Sequence, residues 1–358
     1  MTVLGRDHED DIALFFRSQH RIWTTQKGAR KKILASWGIK NFSIGKRIAT
    51  GEASEVYPVN DKSTKKLLGY LRIAHRGAGS RNGCEVTLMK ACDEAGLPSV
   101  RLLHSADLSR ANGKSPIEGA ITFVAPARGM NLQEAILMPG IAQGLIRNAV
   151  HNSGIFLAEM HLLRDRDPAV EKMVSKFSYA EASTQLGKFF NKARKTLRRL
   201  DETKEQFAAI DDAFLQVWEG LARLYQEYPL VLIHSDLEPK HVFFNINRGE
   251  LLNVIDFGSA HVNIPHFDLL NWKTFSPETF DEFAQSYLDA RFGSDYERAS
   301  HFMEELDFAE TVWQLDWALY RMEHLLVAEA CGHVQLAGEA CRRIIARDLQ
   351  PHRDLGHP

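Results

Sequence analysis

The chain has 358 residues, 44% of them hydrophobic and 25% charged, an ordinary globular composition with length for two or three structural units around a sizeable core. No apolar run approaches the roughly 20 residues of a membrane-spanning helix, and the acidic stretch Met1–Asp11 lacks the apolar centre of a secretory leader, so neither is expected. Four cysteines, at 84, 92, 331 and 341, form no Cys-x-x-Cys pair. That argues against a disulfide scaffold or structural zinc and for a cytoplasmic setting. The net charge of −2 hides an asymmetry, because residues 12–51 carry nine Lys or Arg and no acid. Residues 276–310 carry ten acids against Arg291 and Arg298.

In chain order, residues 8–37 read as helical, with Ile12, Phe15, Phe16, Ile22 and Trp23 able to share one face. Asn41–Ala49 reads as a strand, residues 50–54 as a turn, Glu55–Val59 as the returning strand and Lys66–Ala74 as a third. Asn82–Ala95 reads as a helix stopped by Gly96 and Pro98. A further strand, Ala120–Pro126, leads into a turn at Arg128-Gly129-Met130. Helices are expected over 141–163, 179–200 and 205–228, then a strand-rich insert at 230–233, 241–245 and 251–255, then helices again from about 278. The divisions are a basic helical extension (1–40), a β-rich unit (41–127) and a mostly helical unit (128–358).

The chemistry concentrates in Leu232-Ile-His-Ser-Asp-Leu-Glu-Pro-Lys-His241 and Val254-Ile-Asp-Phe-Gly258. Asp236 follows a His-x, a polar ligand stands five residues later, and Asp256 closes an apolar strand twenty residues on. Phosphoryl transfer from a nucleotide needs one carboxylate to orient the attacking hydroxyl and take its proton. It needs a second, with a polar neighbour, to hold magnesium against the phosphates.

On these residues the chain resembles the aminoglycoside phosphotransferase and choline kinase branch of the protein-kinase-like superfamily. The resemblance implies an α+β bilobal fold, with a small β-rich N-lobe and a larger mostly helical C-lobe. It implies ATP, with GTP not excluded, and Mg²⁺ as cofactors. Asp236 is then the catalytic base, Asp256 the main magnesium ligand and His234 a scaffold residue. Gly51 and Ser54 fall where a phosphate-covering loop lies. Arg72 stands in place of the usual strand lysine, with Glu85 as its ion-pair partner. Phe123, Val124 and Ala125 would form the hinge whose backbone receives the base.

Three features depart from the commonest pattern. His241 replaces the expected asparagine and offers a metal nitrogen rather than amide oxygen. Lys240, four residues after Asp236, stands where tyrosine kinases carry an arginine that neutralises the transferred phosphate. Only eleven residues separate Asp256 from Asp268, too few for a peptide-docking activation segment, so the acceptor is expected to be a small hydroxylated molecule. Asp268 is expected to brace the catalytic loop.

The acidic stretch 276–310 would concentrate a cationic acceptor such as an aminoglycoside or amino-alcohol. Trp313, Trp317 and Tyr320, at helical spacing, are either core or a face for a ring or quaternary ammonium. The basic segment 12–51 suggests instead peripheral contact with an anionic membrane surface and a lipid-linked or lipopolysaccharide core sugar as acceptor. A nucleic-acid partner is not expected. Two other classes compete: a kinase-fold binding or regulatory protein, and a metal-dependent hydrolase drawing on His234, Asp236, His241, Asp256, His261 and His266.

Overall fold

The computed structural model describes residues 27–50, 54–74, 79–107, 120–177 and 224–323. The helices expected over 8–26, 179–200 and 205–223, and everything beyond 323, lie outside them. The protein has two lobes. The smaller is a six-stranded antiparallel sheet of β1 (Phe42–Ile44), β2 (Ala49–Thr50), β3 (Ser54–Asp61), β4 (Leu67–Ala74), β5 (Leu102–Asp107) and β6 (Ala120–Val124). Its order is β1-β3-β4-β6-β5, with β2 also on β3. Alternation along the strands turns Tyr57, Val59, Leu71, Ile73, Ile121 and Phe123 to one face. There they bury against Leu34 of α1 (Lys27–Ser36). The C-terminal part of the basic segment is thus packed on the sheet.

The strand expected over 41–49 is split in two. Its partner β3 carries Pro58 between the pairs Ile44↔Val59 and Ala49↔Val56. Proline has no amide proton to give the ladder, so only its carbonyl bonds across, to Gly45 N at 2.8 Å. Helix α2 (Gly79–Glu94) follows β4, and its buried residues Cys84, Leu88, Met89 and Cys92 belong to the core of the larger lobe. The chain after it continues that attachment, since Val100 N bonds to Val254 O and Val254 N to Pro98 O, each at 2.8 Å.

The larger lobe begins at β7 (Met130–Asn131) and the short α3 (Leu132–Leu137), capped by Asn131 Oδ1 on Glu134 N. The long α4 (Gln143–Arg166) and α5 (Pro168–Val174) follow. The strand-rich insert is two sheets rather than one. Strand β8 (Val231–Ile233) pairs with β11 (His261–Asn263), while β9 (Val242–Asn245) pairs with β7 and β10 (Glu250–Val254). Helices then resume at α6 (His266–Phe275), earlier than the sequence pattern indicated, and continue in α7 (Phe280–Phe292) and α8 (Tyr296–Glu323). Pro265 precedes α6 with helical dihedrals and starts it there.

Helices α4 and α7 meet at Gly154, where a Cβ would lie 2.4 Å from Phe283 O and 2.0 Å from Ser286 Oγ. Gly154→Ala should therefore destabilise the protein by about 1–3 kcal/mol through forced separation of the two helices, measured by urea unfolding. His266 is fully buried between the rings of Phe302 (3.9 Å, stacked) and Tyr228 (4.5 Å, edge-on). Burial pushes its pKa down to about 3, so the unfolded chain binds a proton below about pH 6.5 that the native state refuses. Between pH 7 and 5 this one group should remove about 2 kcal/mol of stability. His266→Phe should flatten the slope of unfolding free energy over that range.

Candidate active site

Strand β8 is wholly buried and delivers the chain into the loop 234–241. The loop is fixed from beneath by Asp268, in the first turn of α6 and without solvent exposure. Its carboxylate accepts from His234 N (2.8 Å) and Ser235 N (2.6 Å) and takes a third bond, 3.0 Å long, from His161 Nε2. His161 Nδ1 in turn faces the Tyr287 hydroxyl at 3.0 Å. Burial alone would raise the Asp268 pKa, but the bond from His161, the nearby imidazoles and the bond from His234 N together outweigh it, and the group stays ionised, below the ordinary range. The loop needs this hold because Ser235 sits at φ 64°, a left-handed conformation costing about 1–3 kcal/mol for a non-glycine residue.

The expected scaffold role fits the geometry of His234. Its Nε2 donates to Ile255 O at 3.0 Å and its Nδ1 accepts from Asp236 N at 3.3 Å, tying the loop to the chain leaving β10. Burial pushes its pKa down to about 4, so the ring is neutral. Asp236 keeps one third of its side chain exposed. Burial, opposed by His241 and reinforced by Asp256, raises its pKa to about 6. His241 is buried, with Nδ1 2.6 Å from Asp236 O and Nε2 3.7 Å from Asp256 Oδ2. Asp256 is itself left-handed at φ 66°, and its side chain is 41% exposed. Burial would raise its pKa, yet Arg72 and the two imidazoles hold it below the ordinary carboxylate range.

From the other lobe, Arg72 on β4 donates Nη1 to Glu85 Oε1 (2.5 Å) and Nη2 to Asp256 Oδ1 (2.7 Å). The expected Arg72–Glu85 pair is present, and it extends to Asp256, which the sequence did not indicate. Ser54 is placed differently from expectation. It is buried at the start of β3 and its hydroxyl accepts from Arg72 Nε at 2.8 Å, because the β3–β4 register sets it two places from the pair Val56↔Arg72. It orients the guanidinium rather than belonging to an open loop. Gly51 lies outside the described residues.

Lys240 pairs with the buried Glu238, which spends its charge within the loop, and its Nζ lies 5.8 Å from the Phe275 ring. Glu238 was not anticipated. Its carboxylate lies with donor atoms of Asp236 and His241 within 4.8 Å of one another; the local pattern Asp-x-Glu-x-x-His is the signal that contained it. At the hinge, Phe123 points into the small-lobe core and Val124 packs on the large one. The amide of Ala125 is bonded to Arg101 O at 2.9 Å. That amide is therefore committed to the chain before β5.

His261 and His266 do not join the cluster. His261 Nδ1 bonds to Ser259 O at 2.9 Å, and His266 lies among aromatic rings, so the six residues of the hydrolase reading do not converge. The acids of 276–310 are divided: Asp295, Glu297 and Glu304 line one pocket with Arg298 and His301, and others are engaged elsewhere. Glu310 and Asp307 engage Lys273, Glu282 faces His151 and Asp289 accepts from Gln285. Trp313, Trp317 and Tyr320 fall on α8, and their side chains lie outside the described residues.

A family model, described as phosphotransferase enzyme family, matches residues 45–302, which include both lobes' site residues. The chain belongs to that family. It is an ATP-dependent phosphotransferase acting on a small-molecule hydroxyl. Solved structures of similar fold include the ternary complex of streptomycin, ATP and APH(2")-IIa, at 13% identity and a TM-score of 0.57 over 85% of this chain and 95% of that one. The GDP complex of aminoglycoside 2'-phosphotransferase-IIIa matches at 14% and 0.58, over 88% and 98%. A putative aminoglycoside phosphotransferase from Ralstonia eutropha jmp134 matches at 11% and 0.55, over 89% and 98%. No curated protein sequence matches the chain. At such identities the phosphotransferase shares a fold with these proteins, and its acceptor has to be argued from its own residues. Among the described residues no helix is long and apolar enough to cross a membrane.

Replacing Asp268 by Asn turns one of its two oxygens into an NH2 that faces N–H donors in a site closed to solvent. Asp268→Asn should lower stability by about 1–3 kcal/mol, the cost of leaving a buried donor unsatisfied, read from urea unfolding midpoints.

Proposed function

We propose that the phosphotransferase moves the γ-phosphate of ATP to a hydroxyl of a small cationic molecule, an aminoglycoside-like compound or amino-alcohol, with Asp236 as base. The observation that carries the reading is the placement of Asp236 and Asp256 on either side of the buried His241 ring. One carboxylate, partly exposed and fixed through its backbone, faces the cleft, and the other is set apart for a cation.

The donor set suits a divalent ion. A proton on His241 Nδ1 is required by the bond to the Asp236 carbonyl, which only accepts, so the nitrogen with a lone pair to offer a metal is Nε2. It faces Asp256 Oδ2 at 3.7 Å, too long for a hydrogen bond. Two donors sharing one ion at about 2.0–2.2 Å each stand about 3–4 Å apart. His241 and Asp256 would hold magnesium there, and Glu238 adds a further carboxylate to the loop. When bound, the ion supplies charge neutralisation across the phosphates.

The chain's own groups do the rest. Arg72 uses one N–H of each terminal nitrogen on Glu85 and Asp256, which leaves a second on each for the phosphates. Asp236 orients the acceptor hydroxyl and takes its proton as the new P–O bond forms. Base recognition falls to hinge groups other than the Ala125 amide. A lipid-linked acceptor draws less support, since in the basic segment Arg30 lies over the Tyr57 ring at 4.4 Å and Arg47 pairs with Glu55 at 3.0 Å.

Thermal unfolding with Mg²⁺ and ATP or GTP, alongside ADP release in the presence of polyamino and neutral sugars, tests the reading. A nucleotide at 100 times its Kd should stabilise the wild type by about 2.7 kcal/mol. Asp236→Ala should keep that shift and lose about 10²–10⁴-fold in turnover. Asp256→Asn should lose the Mg²⁺-dependent shift itself. Full turnover in Asp236→Ala, or faster transfer to neutral than to amino sugars, would overturn the base or the acceptor respectively.

A further inference from the structure

Away from the catalytic cleft, one group of side chains offers metal donors that phosphoryl transfer does not use. Glu227 lies on the turn of helix that precedes β8, at the opposite end of that strand from the loop 234–241. His301 and Glu305 stand one turn apart on α8 and so share a face. His301 Nε2 lies 3.8 Å from Glu227 Oε2 and 3.5 Å from Glu305 Oε1. One donor atom from each of the three falls within 4.8 Å of the others. Those gaps are longer than hydrogen bonds, and they suit donors that share one ion at about 2.0–2.2 Å each.

The donors are held from behind. Each of two is followed in the chain by an aromatic residue, Glu227 by Tyr228 and His301 by Phe302, and these rings meet edge-on at 5.5 Å. The buried His266 ring packs on both, at 4.5 Å from Tyr228 and 3.9 Å from Phe302. Glu305 keeps only 7% of its side chain exposed, while Glu227 and His301 keep 39% and 52%. His301 also borders an open cavity of about 770 Å³, so an ion has a way in from solvent to a half-buried seat.

A separate observation comes from Tyr228. The residue is 7% exposed, and its hydroxyl makes no hydrogen bond of regular geometry. It is nonetheless directed at the carboxylates, since burial, then Glu305 and Glu227, raise its pKa. Buried hydroxyls normally have a partner, and a carboxylate bound to a metal normally takes an outer hydrogen bond of this kind. Tyr228 is placed to give that bond to Glu305.

We infer that Glu227, His301 and Glu305 form a second site, for a divalent ion of the zinc class, which ties the start of β8 to α8. One imidazole and two carboxylates suit zinc better than they suit the all-oxygen preference of magnesium or calcium. Three protein donors leave a fourth position for water.

The test is calorimetric titration of Zn²⁺ into the full chain, stripped by chelator and without nucleotide. The catalytic loop has an imidazole of its own, so His241→Asn is titrated beside the wild type. The expected result is one Zn²⁺ that His241→Asn keeps and that both His301→Ala and Glu305→Gln lose. No binding in the wild type overturns the inference, as does binding undiminished in either of the last two variants. An ion lost in His241→Asn belongs to the catalytic loop and overturns it equally. Anomalous diffraction at the zinc edge places the ion in the wild type even where a variant does not fold. A peak between Glu227 and His301 supports the site, and no peak there overturns it. The phosphotransferase reading stands or falls separately, on Asp236 and Asp256.

Discussion

The buried carboxylate of Asp268 holds together parts of the molecule far apart in sequence, because it takes hydrogen bonds from the loop after β8 and from His161 near the C-terminal end of α4. An ionised group without solvent is tolerable only when its lone pairs are satisfied, so the loop and the helix have to be where the oxygens require them. The left-handed Ser235, the neutral His234 and the outward-facing Asp236 all follow from that placement. Much of the aromatic core of the large lobe, including Trp272 stacked on Phe283 at 4.0 Å, fixes α6 and thereby the carboxylate.

The cleft itself is organised by alternation of charge. Glu85 and Asp256 flank Arg72, and His241 stands between Asp256 and Asp236. Each carboxylate has a neighbouring cation or a nitrogen lone pair, and of the two aspartates Asp236 is the one whose neighbours do not offset its burial. That difference separates the two aspartates chemically although both lie on left-handed or adjacent backbone at the ends of short strands.

The reactive block was legible in the sequence because its chemistry is local. His234, Asp236, His241 and Asp256 lie within short loops flanked by apolar strands, and Asp268 follows at short range. The strands β3, β4 and β6 were legible by alternation, and α2 and α4 by helical periodicity. What escaped depends on partners distant in the chain. Strand β5, Leu102–Asp107, mixes polar and apolar residues and is a strand only because β6 lies beside it. The pairing of β8 with β11 rather than with β9 is a choice among equally apolar segments. His161 and Tyr287, inside helices, carry no motif at all. Arg72 was expected on Glu85, but its reach across 184 positions to Asp256 is a property of the folded cleft.

Helix α2 belongs to the core of the large lobe, while β4 belongs to the sheet of the small one. Arg72 therefore sits on one body and both its carboxylates on the other. A hinge opening that swings the sheet away from α2 must pull a guanidinium off two acids, Glu85 buried and Asp256 partly exposed, and each separated charge would then seek solvent. The ion pairs act as a latch across the hinge. Salt, which screens exposed charges more than buried ones, should loosen the Asp256 arm of that latch before the Glu85 arm.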